Sequence, residues 1–281
     1  MLLSSHFTSA LFIIRDQPQQ SFTQVGFMLK KIFELHNRST VAFWCGLLNF
    51  CLAIICLGLL LTDHRLAGGE WIWGKPLKYA FSVFITLWTI GWMLQYLRSE
   101  KIKKLLGWSL GMLATLKVVL IMVQSAKGEE SHFNFSNPTS ALIASSIVLA
   151  DFLWLGAMIF FTYQMFSQKK MPLSQHYTWG VRMGMLNFCV LAIAGILMHL
   201  KMSHLIGSIP NKNDQHSFWN WSNNQGDLRI AHFFGVHSLQ IIPLMSYYLF
   251  SKKNQVVTFS LLYLLFGLIV MTIALLGAPL F

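Results

Sequence analysis

The stretch GDLRIAHFFGVHSLQ, residues 226–240, gathers Asp227, Arg229, His232, His237 and Gln240 just ahead of the apolar run IIPLMSYYLF. These side chains suit proton transfer, hydrogen bonding and anion binding. Imidazole titrates near neutrality and can also ligate a metal. A guanidinium presents a fork of donors that matches a carboxylate or a phosphate. On a helix turning about 100° per residue, Arg229 and Gln240 lie roughly 20° apart, with His232 about 60° to one side of Arg229 and His237 about 80° to the other. They share one broad polar face, which cannot point at lipid without a large cost and must therefore face a protein interior or a water-filled cavity. The two histidines are five residues apart, a poorer spacing for one metal than the i,i+4 pair of HExxH. A metal would need further ligands from His132, His204 or Asp227. The alternative is a hydrogen-bonded interior network.

Other polar residues cluster in three stretches: TDHRLAGGEWIWGKPLK (62–78), KGEESHFNFSNPTS (127–140) and KMSHLIGSIPNKNDQHSFWNWSNNQGDLRIAH (201–232). Lys75 and Lys78 flank Pro76, either as snorkelling anchors or as an anion-binding pair. His132 and Asn134 in SHFN fasten a folded-back loop or touch a ligand, and His204 stands nearby in SHLIG. Trp219 and Trp221 suit an interfacial lid or anchor. Lys117 and Asp151 sit within apolar runs, where each is costly alone and a mutual pair relieves the cost.

The elements that must position these groups are membrane helices. Of 281 residues, 55% are hydrophobic and 11% charged, against about 25% charged in soluble domains. A spanning helix needs roughly 20 mainly apolar residues. Seven windows qualify, near 41–61, 79–97, 105–124, 141–163, 181–200, 230–250 and 256–277. The expected architecture is all-α, a polytopic bundle of seven transmembrane helices over residues 39–281. Residues 1–38 form an N-terminal extension, disordered or arising from a misassigned start codon, with residues 1–27 dispensable. The net charge of +11 does not indicate nucleic acid, because the basic residues punctuate the apolar runs instead of forming one face. The partners are the lipid bilayer and a small-molecule ligand. The four cysteines show neither CxxC pairing nor zinc-ligand spacing and read as small buried hydrophobes. Thirteen lysines and arginines precede the first window or lie in the loops on that side, against seven on the other. The positive-inside rule then places the N-terminus in the cytoplasm and the C-terminus in the periplasm of an inner membrane.

The segments WGKPLKYAFS (73–82), QSAKGEESHFN (124–134), SHLIG (203–207) and NWSNNQGDLRIAHFFGVHSLQIIPL (220–244) resemble signature segments of uncharacterised seven-helix bacterial membrane proteins. Those carry patterns such as KPxKFxxS, QAxRGxxSHFN, HxxG and GDLRxAHFxGxHxLQ. The resemblance runs in order from about residue 45 to the end. It departs at Lys127, where the family generally has arginine, and at Lys117, where an acid is expected. It implies the fold and marks positions, and it implies no particular reaction.

The functional expectation is a non-enzymatic protein that binds or transports a small polar or anionic ligand through an outward-facing polar cavity. Arg229, His232, His237, Gln240 and Asp227 would line it, with Lys75, Lys78, His132, Asn134 and His204 around its rim. Two alternatives use the same histidines: a metal-dependent membrane enzyme, although the HxxxH pair of seven-helix zinc hydrolases is missing, and a haem b protein ligated by His199 and His232. The spacing assigns no cofactor, and enzyme or binding protein stays open at this level.

Overall fold

A computed structural model describes residues 30–67, 70–207, 215–216 and 220–280. The segment 1–27, expected to be dispensable, lies outside the described residues. Residues 30–38 are helical, and this lead-in packs on the bundle through buried Leu35 and through Arg38, whose guanidinium sits 3.5 Å from the Trp92 ring centroid.

The bundle follows as α1 (Thr40–Thr62), α2 (Gly74–Leu94), α3 (Glu100–Ala126), α4 (Pro138–Ser167), α5 (Gln175–Leu191), α6 (Ile193–Lys201), α7 (Leu228–Tyr248) and α8 (Lys253–Leu275). Each of the seven apolar windows falls on this helical framework. Six segments are long and apolar enough to cross a membrane, with α5 and α6 forming one of them around a single turn at Ala192. Helix α7 has 21 residues but stands outside that set. Arg229, its two histidines and Gln240 dilute its hydropathy. The chain is thus all-α with the composition of a multi-pass membrane protein, and α7 is the polar member of the bundle.

Local chemistry sets the helix starts. Ser39, Ser99, Asn137 and Asp227 each accept a backbone N–H of the first turn, satisfying donors that no earlier carbonyl can reach. Pro138 follows its cap at the first helical position, where its missing N–H costs nothing.

Two groups of helices result. Helices α1, α2 and α3 pack on one another, and α4 leans on α3; α5, α7 and α8 form the second group, with α6 against α7. Within the second group, small residues allow close approach. A Cβ on Gly180 would lie 2.5 Å from Ser246 Cβ, and one on Gly184 would lie 2.9 Å from the Ser238 carbonyl. Glycines spaced by four are what lipid-embedded helices use to bring their backbones together. The groups join towards the basic face through a buried apolar core that includes Leu94, Leu106, Phe161, Met185, Phe188 and Leu239. Towards the opposite face, where the three polar stretches gather, the groups part around a cavity.

The outer surface carries exposed Trp44, Leu61, Leu142 and Leu262, as a lipid-facing surface should. Cys51 is exposed on α1, so the expectation of a buried side chain fails there. Its run is apolar because it faces lipid, not because it fills a core.

Candidate functional site

The cavity has a volume of about 1080 Å³ and is lined mainly by side chains from α2, α3, α4, α6 and α7, with Leu57 of α1 and Phe188 of α5, and by the loops above them. Seven of the ten residues singled out from sequence line it: Lys75, Lys78, His132, His204, Arg229, His232 and His237.

The start of α7 is anchored from below and beside. Gly226 passes so close to the end of α8 that a Cβ there would fall 1.9 Å from the Ala274 carbonyl oxygen. Only glycine fits. Asp227, 2% exposed, caps α7 by accepting from Arg229 N at 3.0 Å, and its other oxygen accepts from Ser222 N at 3.0 Å. The Arg229 side chain folds back onto this carboxylate at 2.7–3.1 Å, donates to the Asn220 carbonyl and comes within 3.6 Å of Glu70. The GDLR sequence thus supplies a close approach, a cap and a guanidinium held by that cap. Asp227 is a buried cap behind the site and does not line it.

His204 reaches the site through a short antiparallel pairing of strand Leu205–Ile206 with strand Gly226–Asp227. Leu228 N donates to its carbonyl at 3.1 Å. His132 comes from the loop between α3 and α4, where Ser131 Oγ meets its Nδ1 at 2.8 Å. Next to it, Phe133 has φ +59°, a left-handed conformation that costs a bulky residue of order 1 kcal/mol or more. Its ring is held between His199 and His204, at centroid distances of 5.9 and 5.1 Å. The His132 ring lies 6.5 Å from that of His199 and 6.2 Å from that of His204. Burial, reinforced by the nearby Lys75 ammonium, holds both His132 and His204 well below the usual imidazole pKa. Both are therefore neutral at pH 7.

Deeper in the cavity, Lys117 Nζ meets Asp151 Oδ1 at 2.6 Å, and His199 Nε2 approaches the other oxygen at 3.4 Å. The ammonium also stands 5.3 Å from the Tyr79 ring centroid. Lys117 and Asp151 relieve each other as their positions in apolar runs required. Around this triad, Nδ1 of His199, His204 and His232 is buried without a hydrogen-bond partner among the described residues. His232 stacks that side of its ring over Gly195, where a Cβ would come within 3.3 Å.

Lys75 and Lys78 stand one helical turn apart on the cavity wall formed by α2. Among the described residues neither comes within ion-pairing distance of an acid, whereas Arg229 and Lys117 both do.

Two singled-out residues sit elsewhere. Asn134 donates to Glu129 at 3.0 Å and accepts from Ser136, which fastens the loop over the bundle. Gln240 donates to Thr89 Oγ1 on α2 at 3.2 Å, just past the cavity wall. Gln240 thus carries the polar face of α7 across to another helix, while His237 packs 4.3 Å from the Phe233 ring. Trp221 lines the cavity from above, and the Trp219 side chain lies outside the described residues.

Sequence reasoning left Glu70, Tyr79 and His199 out of the ligand-binding set, although all three line the cavity. The run GGEWIWGKPLKY already held a signal for two of them, an acid and a phenol on the segment that carries both lysines. Among the described residues, no group of three or more His, Cys, Asp and Glu side chains is arranged to hold a metal ion. His199 also turns Nε2 towards Asp151, so that nitrogen is engaged and not presented to a haem iron. No protein-family model, characterised protein or solved structure matches the chain.

Proposed function

We propose that this chain is a seven-helix membrane protein, with α7 as the seventh span, that binds a small polar or anionic ligand in the cavity between its two helix groups. The carrying observation is the pair Lys75 and Lys78. Two cations face one cavity without acid partners at contact distance, beside neutral imidazoles able to donate or accept. Ammonium groups in a partly desolvated pocket are costly; Glu70, and for Lys75 also Glu130, offset that cost only from beyond contact distance, and an anionic ligand at contact removes more of it. Arg229 and Lys117 contribute less, because Asp227, Glu70 and Asp151 already balance them.

In this reading the polar stretches face the periplasm and the basic loops face the cytoplasm of a bacterial inner membrane, as the lysine and arginine distribution requires. The resemblance to seven-helix bacterial proteins supports the same arrangement, since its marked segments are those that build the cavity. Binding alone, or binding as one step of transport, is consistent with a cavity closed towards the basic face by a packed core. Cavities of this size with a few convergent polar groups are where ligands usually bind.

A density map of the full chain extracted from its own membrane tests this. The expected result is density not belonging to the protein between the Lys75 and Lys78 ammonium groups and His204. A map with both ammonium groups turned out of the cavity towards the bilayer surface would contradict it.

A further inference from the structure

The wall of the cavity between α2 and α7 says more about the ligand. On α2, Lys78, Phe81, Ser82 and Ile85 line the cavity, and on α7 Arg229, Phe233, Val236 and His237 do so. Both sets fall at the spacings of one helix face, i, i+3, i+4, i+7 on α2 and i, i+4, i+7, i+8 on α7. The two helices thus face each other across the cavity, yet they belong to different packing groups and touch only over a short stretch. Phe81 lines the cavity and is 49% exposed, so the wall is only loosely covered at this seam. The seam closes lower down, where Gln240 donates to Thr89, each residue continuing the face of its helix. From Lys78 to Thr89 the seam runs roughly 16 Å along α2 at 1.5 Å per residue. Polarity changes along that length. The loop end holds Lys75, Lys78, His132 and His204, the Lys117, Asp151 and His199 cluster lies between, and the deep end holds mainly apolar residues, Leu113, Trp154, Leu155, Phe188 and Val236, beside His237.

Resting on the reading above, we infer that the ligand is a membrane-borne amphiphile with an anionic headgroup, entering sideways between α2 and α7. Its headgroup pairs with Lys75 and Lys78, and its alkyl or prenyl chain lies along Phe81, Leu155 and Val236. A small water-soluble anion would leave the deep, mainly apolar part of the cavity unfilled, whereas an alkyl chain drawn from the bilayer stays in apolar surroundings there and gains packing contacts along the wall. The exposed cavity wall at Phe81 gives a lipid-borne molecule an entry that never leaves the bilayer.

The test is photolabelling of the full chain in nanodiscs of zwitterionic lipid, using hexadecanoate with a diazirine near its tail end. The expected labels fall on Phe81, Leu155 or Val236. Unlabelled hexadecanoate should compete more than about tenfold better than butanoate. Labelling should fall severalfold in K75Q/K78Q and also in Val236→Trp, which fills the seam. If butanoate binds in a Lys75- and Lys78-dependent way and competes as well as hexadecanoate, the amphiphile is overturned and the anion site stands. If labelling is unchanged in K75Q/K78Q and equally displaced by hexadecylamine, it reports partition into lipid and overturns the proposal. If neither carboxylate binds, both readings fall together.

Discussion

Lys117 on α3 and His199 on α6 hold the two oxygens of one carboxylate, Asp151 on α4, at 2.6 and 3.4 Å. Three helices from both packing groups therefore meet at a single acid on the cavity wall. The Lys117 and Asp151 charges are tolerable at this depth only together, because removing one leaves the other desolvated and unbalanced.

Lys117→Met alone and Asp151→Leu alone should each destabilise the protein by about 3 kcal/mol, the typical cost of breaking a buried pair. The double variant should recover most of that loss. Thermal unfolding of the detergent-solubilised variants measures it. Additive losses in the double variant would mean that the two groups are not coupled.

Stability should fall on acidification near neutrality. His132 and His204 have folded pKa values well below 6.5, so between the two values the unfolded chain binds more protons than the folded one. Their contribution is undiminished above about pH 6.5 and is lost as the pH drops towards the folded values. The melting temperature should hold from pH 8 to 7 and decline below about 6.5, and less so in His132→Asn/His204→Asn. A melting temperature that rises on acidification, with the rise removed in the double variant, would reverse the sign.

Gly226→Ala should destabilise the start of α7. The added methyl meets the Ala274 carbonyl oxygen at 1.9 Å, and both are backbone positions that cannot swing away. Overpacking of this kind costs about 1–3 kcal/mol. The Leu205–Ile206 pairing carries His204 on the partner strand, so weaker ligand binding should accompany the loss. Hydrogen exchange at Leu228 N and Arg229 N would report the local opening.

The helices were legible in the sequence because lipid imposes a strong and local signal: long apolar runs separated by short basic loops. The polar face of α7 was legible for the same reason, since Arg229, His232 and His237 share one side of a regular helix and had to turn inwards. What escaped was set by contacts between distant segments. Nothing near Gln240 announces Thr89, 151 positions earlier in the chain, so its place below the cavity and not in its wall could not be read. Asn134 looked like a ligand group because a loop amide can serve either role, and Glu129 and Ser136 beside it decided for the loop. Asp227 is both a cap and a carboxylate, and only its contacts show that one oxygen caps α7 while the other accepts from Ser222 N. His199 sits in an apolar run with no polar neighbour before Lys201, and it joins the site only because α4 presents Asp151 to it.

The central claim is that Lys75 and Lys78 form the anion-binding wall of the cavity. The most direct measurement is the affinity of the purified full chain for a carboxylate, butanoate or hexadecanoate, in wild type, K75Q/K78Q and K75R/K78R. A hydrogen bond to a charged group is worth about 1.5–3 kcal/mol, so K75Q/K78Q should bind about a hundredfold more weakly or worse, with much of the affinity returning in K75R/K78R. Equal affinity in wild type and K75Q/K78Q, with both proteins folded by their melting curves, would contradict the account.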